Sequence, residues 1–366
     1  MSKTSTAADL KRLQQMINDI PEDVTAIPAT LPYRPDTIRE EGFFSPMLQG
    51  TGTNKLTQIS TRKTAPENID AITGIAKITS GNLTVFIEKY NNLAGGLRIS
   101  THKLLDACTI ALTAQNDYRG NREPNTTVVI PLEKYMQRCG IPLTKPSKDK
   151  TRRKVKEDLE ALYSTSIEWT EPSGQNTKDF AKMRICTAVA IKNGNIIMDF
   201  SPAIASYLTN AYIMQYPVEL LAVDERNPSS YYIGKKLMQH NSIDNNIKRG
   251  TANIISVKAL LASCPDIPSY DEVMAKDRAL DRRIKTPFEN ALNSLPFIKW
   301  EYSNSKGKPL TDEQLKDFSY ATFKECYILF TVLNAPDQTK RLTAKAEAAA
   351  EKKKTAAKTK KKTDKQ

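Results

Sequence analysis

Apolar positions along this chain follow an order of elements that occurs twice. In the later copy, Ser229–His240 reads as a helix, and Ile254–Cys264 as a short β-like run leading into another helix. A strongly basic helix is predicted from Asp277 to Leu295. At 100° per residue, Leu280, Ile284, Phe288, Ala291 and Leu295 fall within about 40° of Ile284, and Arg278, Arg282 and Lys285 lie about 100–160° away on one outward flank. One face can therefore pack on a domain while another presents cations. Pro287 removes one helical hydrogen bond and predicts a kink. A strand–turn–strand closes the unit: Phe297–Tyr302, a tip at Lys306-Gly307-Lys308, and Cys326–Leu333.

The earlier copy has a helix at Thr101–Gln115, a strand and helix over Thr127–Cys139, and a basic helix from Lys148 to Tyr163. In that basic helix Val155, Leu159 and Leu162 share one side and Arg153 lies almost opposite. Strands are predicted at Ser166–Thr170, Met183–Ile191 and Asn195–Phe200. Asn193-Gly194 between the last two is a strong hairpin signal. Helix, helix-turn-helix and β-hairpin make the winged-helix plan. The fold class is therefore α+β, with two tandem winged-helix domains at 76–217 and 228–334. Val218–Asn227 joins them and, being short and not rich in Gly or Ser, predicts a stiff connection.

The flanks read differently. Residues 1–75 are expected to be a mostly disordered leader, with one short apolar stripe at Leu10, Leu13, Met16, Ile17 and Ile20 and prolines that keep the chain beyond it extended. Residues 335–366 form a Lys/Ala/Thr-rich tail that cannot bury enough apolar surface to fold alone.

Charge sharpens the functional reading. The chain has 366 residues and a net charge of +13, and residues 337–366 alone hold eleven basic residues against four acidic ones. Such an excess favours a polyanionic partner. Nucleic acid ranks above a membrane surface because no basic amphipathic helix carries an aromatic or leucine face. No run of about 18 apolar residues suggests a membrane span. The five cysteines are odd in number and widely spaced, with no Cys-x-x-Cys pair, which points to buried apolar thiols in a reducing cytoplasm.

Catalytic signals are scarce. The two histidines, His102 and His240, have no metal-binding neighbours in sequence, so the paired-histidine metal site of a nicking initiator is missing. No Gly-x-x-x-x-Gly-Lys-[Ser/Thr] loop is present. Tyr231-Tyr232 invites a recombinase reading, but the plan makes them ordinary helix residues. The expectation is a non-enzyme without metal or cofactor. Arg278 and Arg282 are candidates for base edges, and Arg283 and Lys285 for phosphates. Lys306 and Lys308 at the wing tip suit a neighbouring phosphate or the minor groove. In the first domain Lys148, Lys150, Arg152, Arg153 and Lys154 are equally basic. The residues leave open whether that helix reads bases, touches only backbone, or yields to a dimer interface built on Met183–Phe200. A transcriptional regulator on the same fold is the alternative; a DNA-processing enzyme is third.

Several stretches carry a family resemblance: Tyr231–His240, Ile255–Leu261, and Asp281–Leu292 followed by a strand with Trp300 and Tyr302. With the order of elements over roughly 80–333, the chain resembles the iteron-binding, tandem winged-helix replication initiators of plasmids. The resemblance implies a protein that binds directly repeated origin sequences in duplex DNA and opens an adjacent AT-rich stretch. It further implies recruitment of a host initiator and replicative helicase, and homodimers that in some members repress their own promoter. It also implies that the C-terminal winged helix is the principal reader, which would make Arg278, Arg282 and Lys285 base or phosphate contacts.

Overall fold

A computed structural model describes residues 44–49, 68–80, 83–88, 97–116, 124–170, 180–209, 212–264, 266–275, 279–316 and 318–334. The apolar stripe at Leu10–Ile20 and the tail 335–366 lie outside them.

The first module is built round α1 (Ile99–Gln115), in which every residue from Ile99 to Ala114 is buried. Such a helix needs internal partners for its polar groups. The Thr109 and Thr113 hydroxyls donate to the carbonyls of Leu105 and Thr109 at 2.8 and 2.7 Å. Four strands precede it: β1 (Phe44–Gln49), β2 (Asn68–Ile69), β3 (Ala76–Ser80) and β4 (Leu83–Ile87). After it come β5 (Thr127–Pro131), α2 (Leu132–Arg138) and the basic α3 (Lys145–Tyr163). Then β6 (Thr165–Thr170), β7 (Phe180–Arg184), β8 (Cys186–Lys192) and β9 (Asn195–Phe200) succeed one another. Last are α4 (Pro202–Thr209) and β10 (Tyr212–Pro217).

Strands β5, β9 and β8 form the three-stranded wing, and the β8–β9 turn has Asn193 and Gly194 at φ 49° and 75°, as the Asn-Gly signal requires. Two features depart from expectation. The stretch read as one strand, Met183–Ile191, is divided at Ile185. Its N–H donates to Thr165 and its carbonyl accepts from Ser201, so β7 joins a five-stranded antiparallel sheet (β2-β3-β4-β6-β7) and β8 joins the wing. The span 1–75 is also not wholly a loose leader. β1 pairs antiparallel with β10, with Met47 and Leu48 buried and the Leu48 N–H donated to Thr113 Oγ1 at 3.0 Å. That pairing closes across the whole first module, so nothing local announces it.

The connection holds α5 (Glu219–Ala222). The second module continues with α6 (Pro228–Asn241), α7 (Asp244–Lys248), β11 (Ile254–Ser256), α8 (Val257–Leu261) and α9 (Tyr270–Met274). Among the described residues the basic helix starts at Leu280, with Ala279 accepting the Arg283 N–H at 2.9 Å, and Asp277 lies outside them. Its first turn, Asp281–Lys285, is a π turn, and α10 (Thr286–Asn293) continues it. The proline explains the widening. Pro287 has no N–H for the carbonyl four residues back, and the Thr286 N–H reaches Asp281 O, five residues back. The apolar face survives, with Ile284, Phe288, Ala291 and Leu295 buried.

The closing hairpin is β12 (Ile298–Ser303) and β13 (Tyr327–Val332), with β11 completing the sheet in the order β11-β13-β12. It is not a plain strand–turn–strand. Two short helices, α11 (Asp312–Lys316) and α12 (Tyr320–Glu325), lie between the wing tip and β13. Phe323 on α12 meets Phe288 edge-on at 5.5 Å, and Phe318 lies 4.7 Å from Tyr302, so the insertion covers the back of the basic helix with aromatic rings.

Candidate nucleic-acid interface

Two basic helices face solvent, one per module. On α3, Val155, Leu159 and Leu162 are buried, while Lys150, Arg152 and Arg153 are exposed. Arg152, Arg153 and Lys156 line an open groove floored by Val189 and Ile191 of the wing strand. Lys156 was not among the residues singled out from the sequence. The signal was available, since it comes four positions after Arg152 and three after Arg153 on one helix face. Lys148 and Lys154 have other duties. Lys148 pairs with Glu133 on α2, and Lys154 pairs with Glu225 of the connection. Their ammonium groups are engaged within the chain, so of the five cations proposed on this helix three stand outward and two brace the fold.

On the second basic helix Arg282 and Arg283 are exposed, next in sequence to Ile284, which anchors the turn in the core. Lys285 is half-buried, its ammonium 4.5 Å from the centre of the Phe318 ring. That cation–π contact favours keeping the side chain against the aromatic cluster. Arg278 lies outside the described residues. The wing tip is well defined: Asn304 Oδ1 accepts from the backbone N–H groups of Lys306 at 2.9 Å and Lys308 at 3.1 Å. Gly307 has φ 74°, and a Cβ there would stand 2.6 Å from Ile254 Cδ1, so the loop folds back on β11 and leaves both lysines exposed. Trp300 on β12 donates its indole N–H to Asn293 Oδ1 at 3.0 Å, tying the wing to the end of the basic helix.

The residues that invited an enzymatic reading are structural in position. Tyr231 and Tyr232 are buried. His102 is fully buried, and burial together with the nearby Lys235 charge pushes its pKa down to about 3. His240 bridges Thr251 O and the Asn246 amide at 3.1 and 3.2 Å. Among the described residues no cluster of His, Cys, Asp or Glu has the makings of a metal site, and no helix is long and apolar enough to cross a membrane. All five cysteines are unpaired.

A three-stranded wing beside an exposed basic helix, built twice in one chain, defines a tandem winged-helix fold. Residues 85–222 match the family model described as "Initiator Replication protein, WH1". No curated protein matches the chain. Similar solved structures include the Pi initiator protein in complex with iteron DNA, at 11% identity and TM-score 0.42 over 80% of this chain and 97% of that one. Domains 2 and 3 of RctB appear twice. A selenomethionine derivative matches at 12% identity and TM-score 0.35 over 63% of this chain and 85% of that one. A second RctB structure matches at 13% and 0.31 over 55% and 79%.

Proposed function

We propose that this chain binds duplex DNA sequence-specifically at a replication origin and initiates replication there without hydrolysing a nucleotide. The observation that carries the reading is the pair of outward basic helices, Lys150–Lys156 and Arg282–Arg283, each beside a wing, in a chain whose residues 85–222 match the initiator WH1 family model. The major groove, about 12 Å wide, admits one helix, and arginine can donate two hydrogen bonds to guanine O6 and N7. Arg282 is assigned to a base edge. Arg283, Lys306 and Lys308 are assigned to phosphates, with Arg152, Arg153 and Lys150 holding a second stretch of backbone. Directly repeated sites are the expected target, because several copies bound side by side can supply the energy of bending and opening an AT-rich neighbour. A homodimer as resting form, and hand-over of the opened strand to a host initiator and helicase, complete the reading.

Selection of bound duplexes from a random pool, then titration of Arg282→Ala, tests it. The selected site is expected to recur as direct repeats in the DNA flanking the gene. The substitution is expected to weaken specific binding by ~1–3 kcal/mol and to relax one base preference. A palindromic site at a promoter alone would favour a regulator. Absence of any selected sequence would overturn the proposal.

A further inference from the structure

We infer that Asp106, Tyr231 and Lys235 form a buried, directional latch that fixes the angle between the two modules, and with it the spacing of DNA stretches that one chain can grip. Asp106 lies on α1 of the first module, and Tyr231 and Lys235 lie one turn apart on α6 of the second. The Tyr231 hydroxyl donates to Asp106 Oδ2 at 2.6 Å, and the Lys235 ammonium donates to Asp106 Oδ1 at 2.6 Å. All three residues are no more than 5% exposed. Both carboxylate oxygens are thus occupied from one helix of the opposite module, and rotation about α6 breaks at least one bond.

Around the latch, the buried rings of His102 and Tyr232 meet edge-on across the two modules at 6.0 Å. Gly234, between the two latch residues, lets α6 pack closely on the connection and on its own module: a Cβ there would lie 2.6 Å from Leu220 of the connection and 3.1 Å from Leu295 and Phe297. Apolar burial holds modules together but has no preferred direction. A charge pair withdrawn from water contributes little net adhesion, because desolvation offsets its attraction, yet a misaligned pair leaves a buried charge uncompensated. The latch therefore selects one arrangement among many that would bury similar area. The connection is clamped as well: the Lys103 ammonium donates to Val223 O, and Lys154 pairs with Glu225.

The spacing consequence rests on the proposed DNA function, whereas the angle does not, so two measurements separate them. Spin labels at Q137C on α2 and E325C on α12, both exposed positions outside the DNA-facing residues, report the distance between modules in the full chain. A single narrow distance is expected for the otherwise native chain, and a broadened one for Asp106→Asn. If Asp106→Asn does not fold, Tyr231→Phe removes one carboxylate bond and should broaden the distribution less. The double variant Asp106→Leu/Lys235→Met keeps an apolar contact without direction. It is expected to stay folded, with an unchanged or higher melting temperature, and still to show the broad distribution. A narrow distance in that double variant, or in Asp106→Asn, would overturn the latch. On DNA, the native chain should lose at least about tenfold in affinity when one base pair is inserted between its two contact stretches, and the double variant should lose less. A broadened distance with unchanged spacing preference would uphold the latch and refute simultaneous gripping by both modules.

Discussion

His102 offers a quantitative test of how the inter-module core is built. Its ring is fully buried, neither nitrogen has a hydrogen-bond partner among the described residues, and it meets the Tyr232 ring edge-on at 6.0 Å. The groups facing it are the Lys235 ammonium and the Tyr232 ring, with Asp106 and Tyr231 occupied by the latch. Burial, then Lys235, lowers the pKa from 6.5 to about 3. The folded state therefore holds His102 neutral, and the unfolded state takes up a proton between pH 6.5 and pH 3. The stability linked to this group is fully present above pH 6.5 and is lost as pH falls towards 3. The whole shift corresponds to about 5 kcal/mol, and about 2 kcal/mol of it is lost between pH 7 and pH 5. Replacing the ring by an apolar side chain removes two unsatisfied polar atoms, so His102→Leu should cost little at pH 7. Urea unfolding of both proteins at pH 7 and pH 5 measures the difference directly, since carboxylates common to both cancel. The native protein should lose ~2 kcal/mol more than the variant on acidification. Equal losses would mean that His102 does not titrate against burial, and the reasoning would fail.

Three further outcomes are expected from the same geometry. Gly307→Ala should lower stability by ~1–2 kcal/mol, because the residue holds a left-handed backbone and its new methyl meets Ile254; an unchanged urea midpoint would show that the wing tip gives way. Arg153→Ala should reduce the slope of log affinity against log salt by about one, as expected for a lost phosphate contact, whereas Lys154→Ala, whose ammonium is paired with Glu225, should leave that slope nearly unchanged. Deleting residues 337–366 should flatten the salt dependence of DNA binding, and an unaltered slope would remove the tail from the interface.

Local signals in this sequence are reliable where local physics decides the outcome. The apolar stripe through Ile284, Phe288, Ala291 and Leu295 packs as its angles require, and Asn193-Gly194 makes its hairpin. Pro287 announces a disturbance; that it takes the form of a π turn depends on which carbonyl loses its donor, a detail the helix angles do not carry. Long-range pairing is not legible. β1 finds β10, and β2, β3 and β4 join β6 and β7, through registers that no local spacing encodes. The division at Ile185 is hidden for the same reason, because an unbroken apolar run does not say that two sheets share it. At the candidate interface, net charge and helix face locate the cations, but only the fold reveals that Glu133 and Glu225 engage Lys148 and Lys154, and that Phe318 lies against Lys285. Asp106, Tyr231 and Lys235 give no signal at all, since a buried ion pair between residues so far apart in sequence looks like three ordinary helix positions.

The central claim is that each module lays its own basic helix on the same DNA. Hydroxyl-radical footprinting of the native chain, Arg153→Ala and Arg282→Ala on one selected site tests it most directly. Two protected stretches are predicted, with Arg153→Ala thinning one and Arg282→Ala the other. Protection confined to a single stretch, or lost from the same stretch in both variants, would contradict the account.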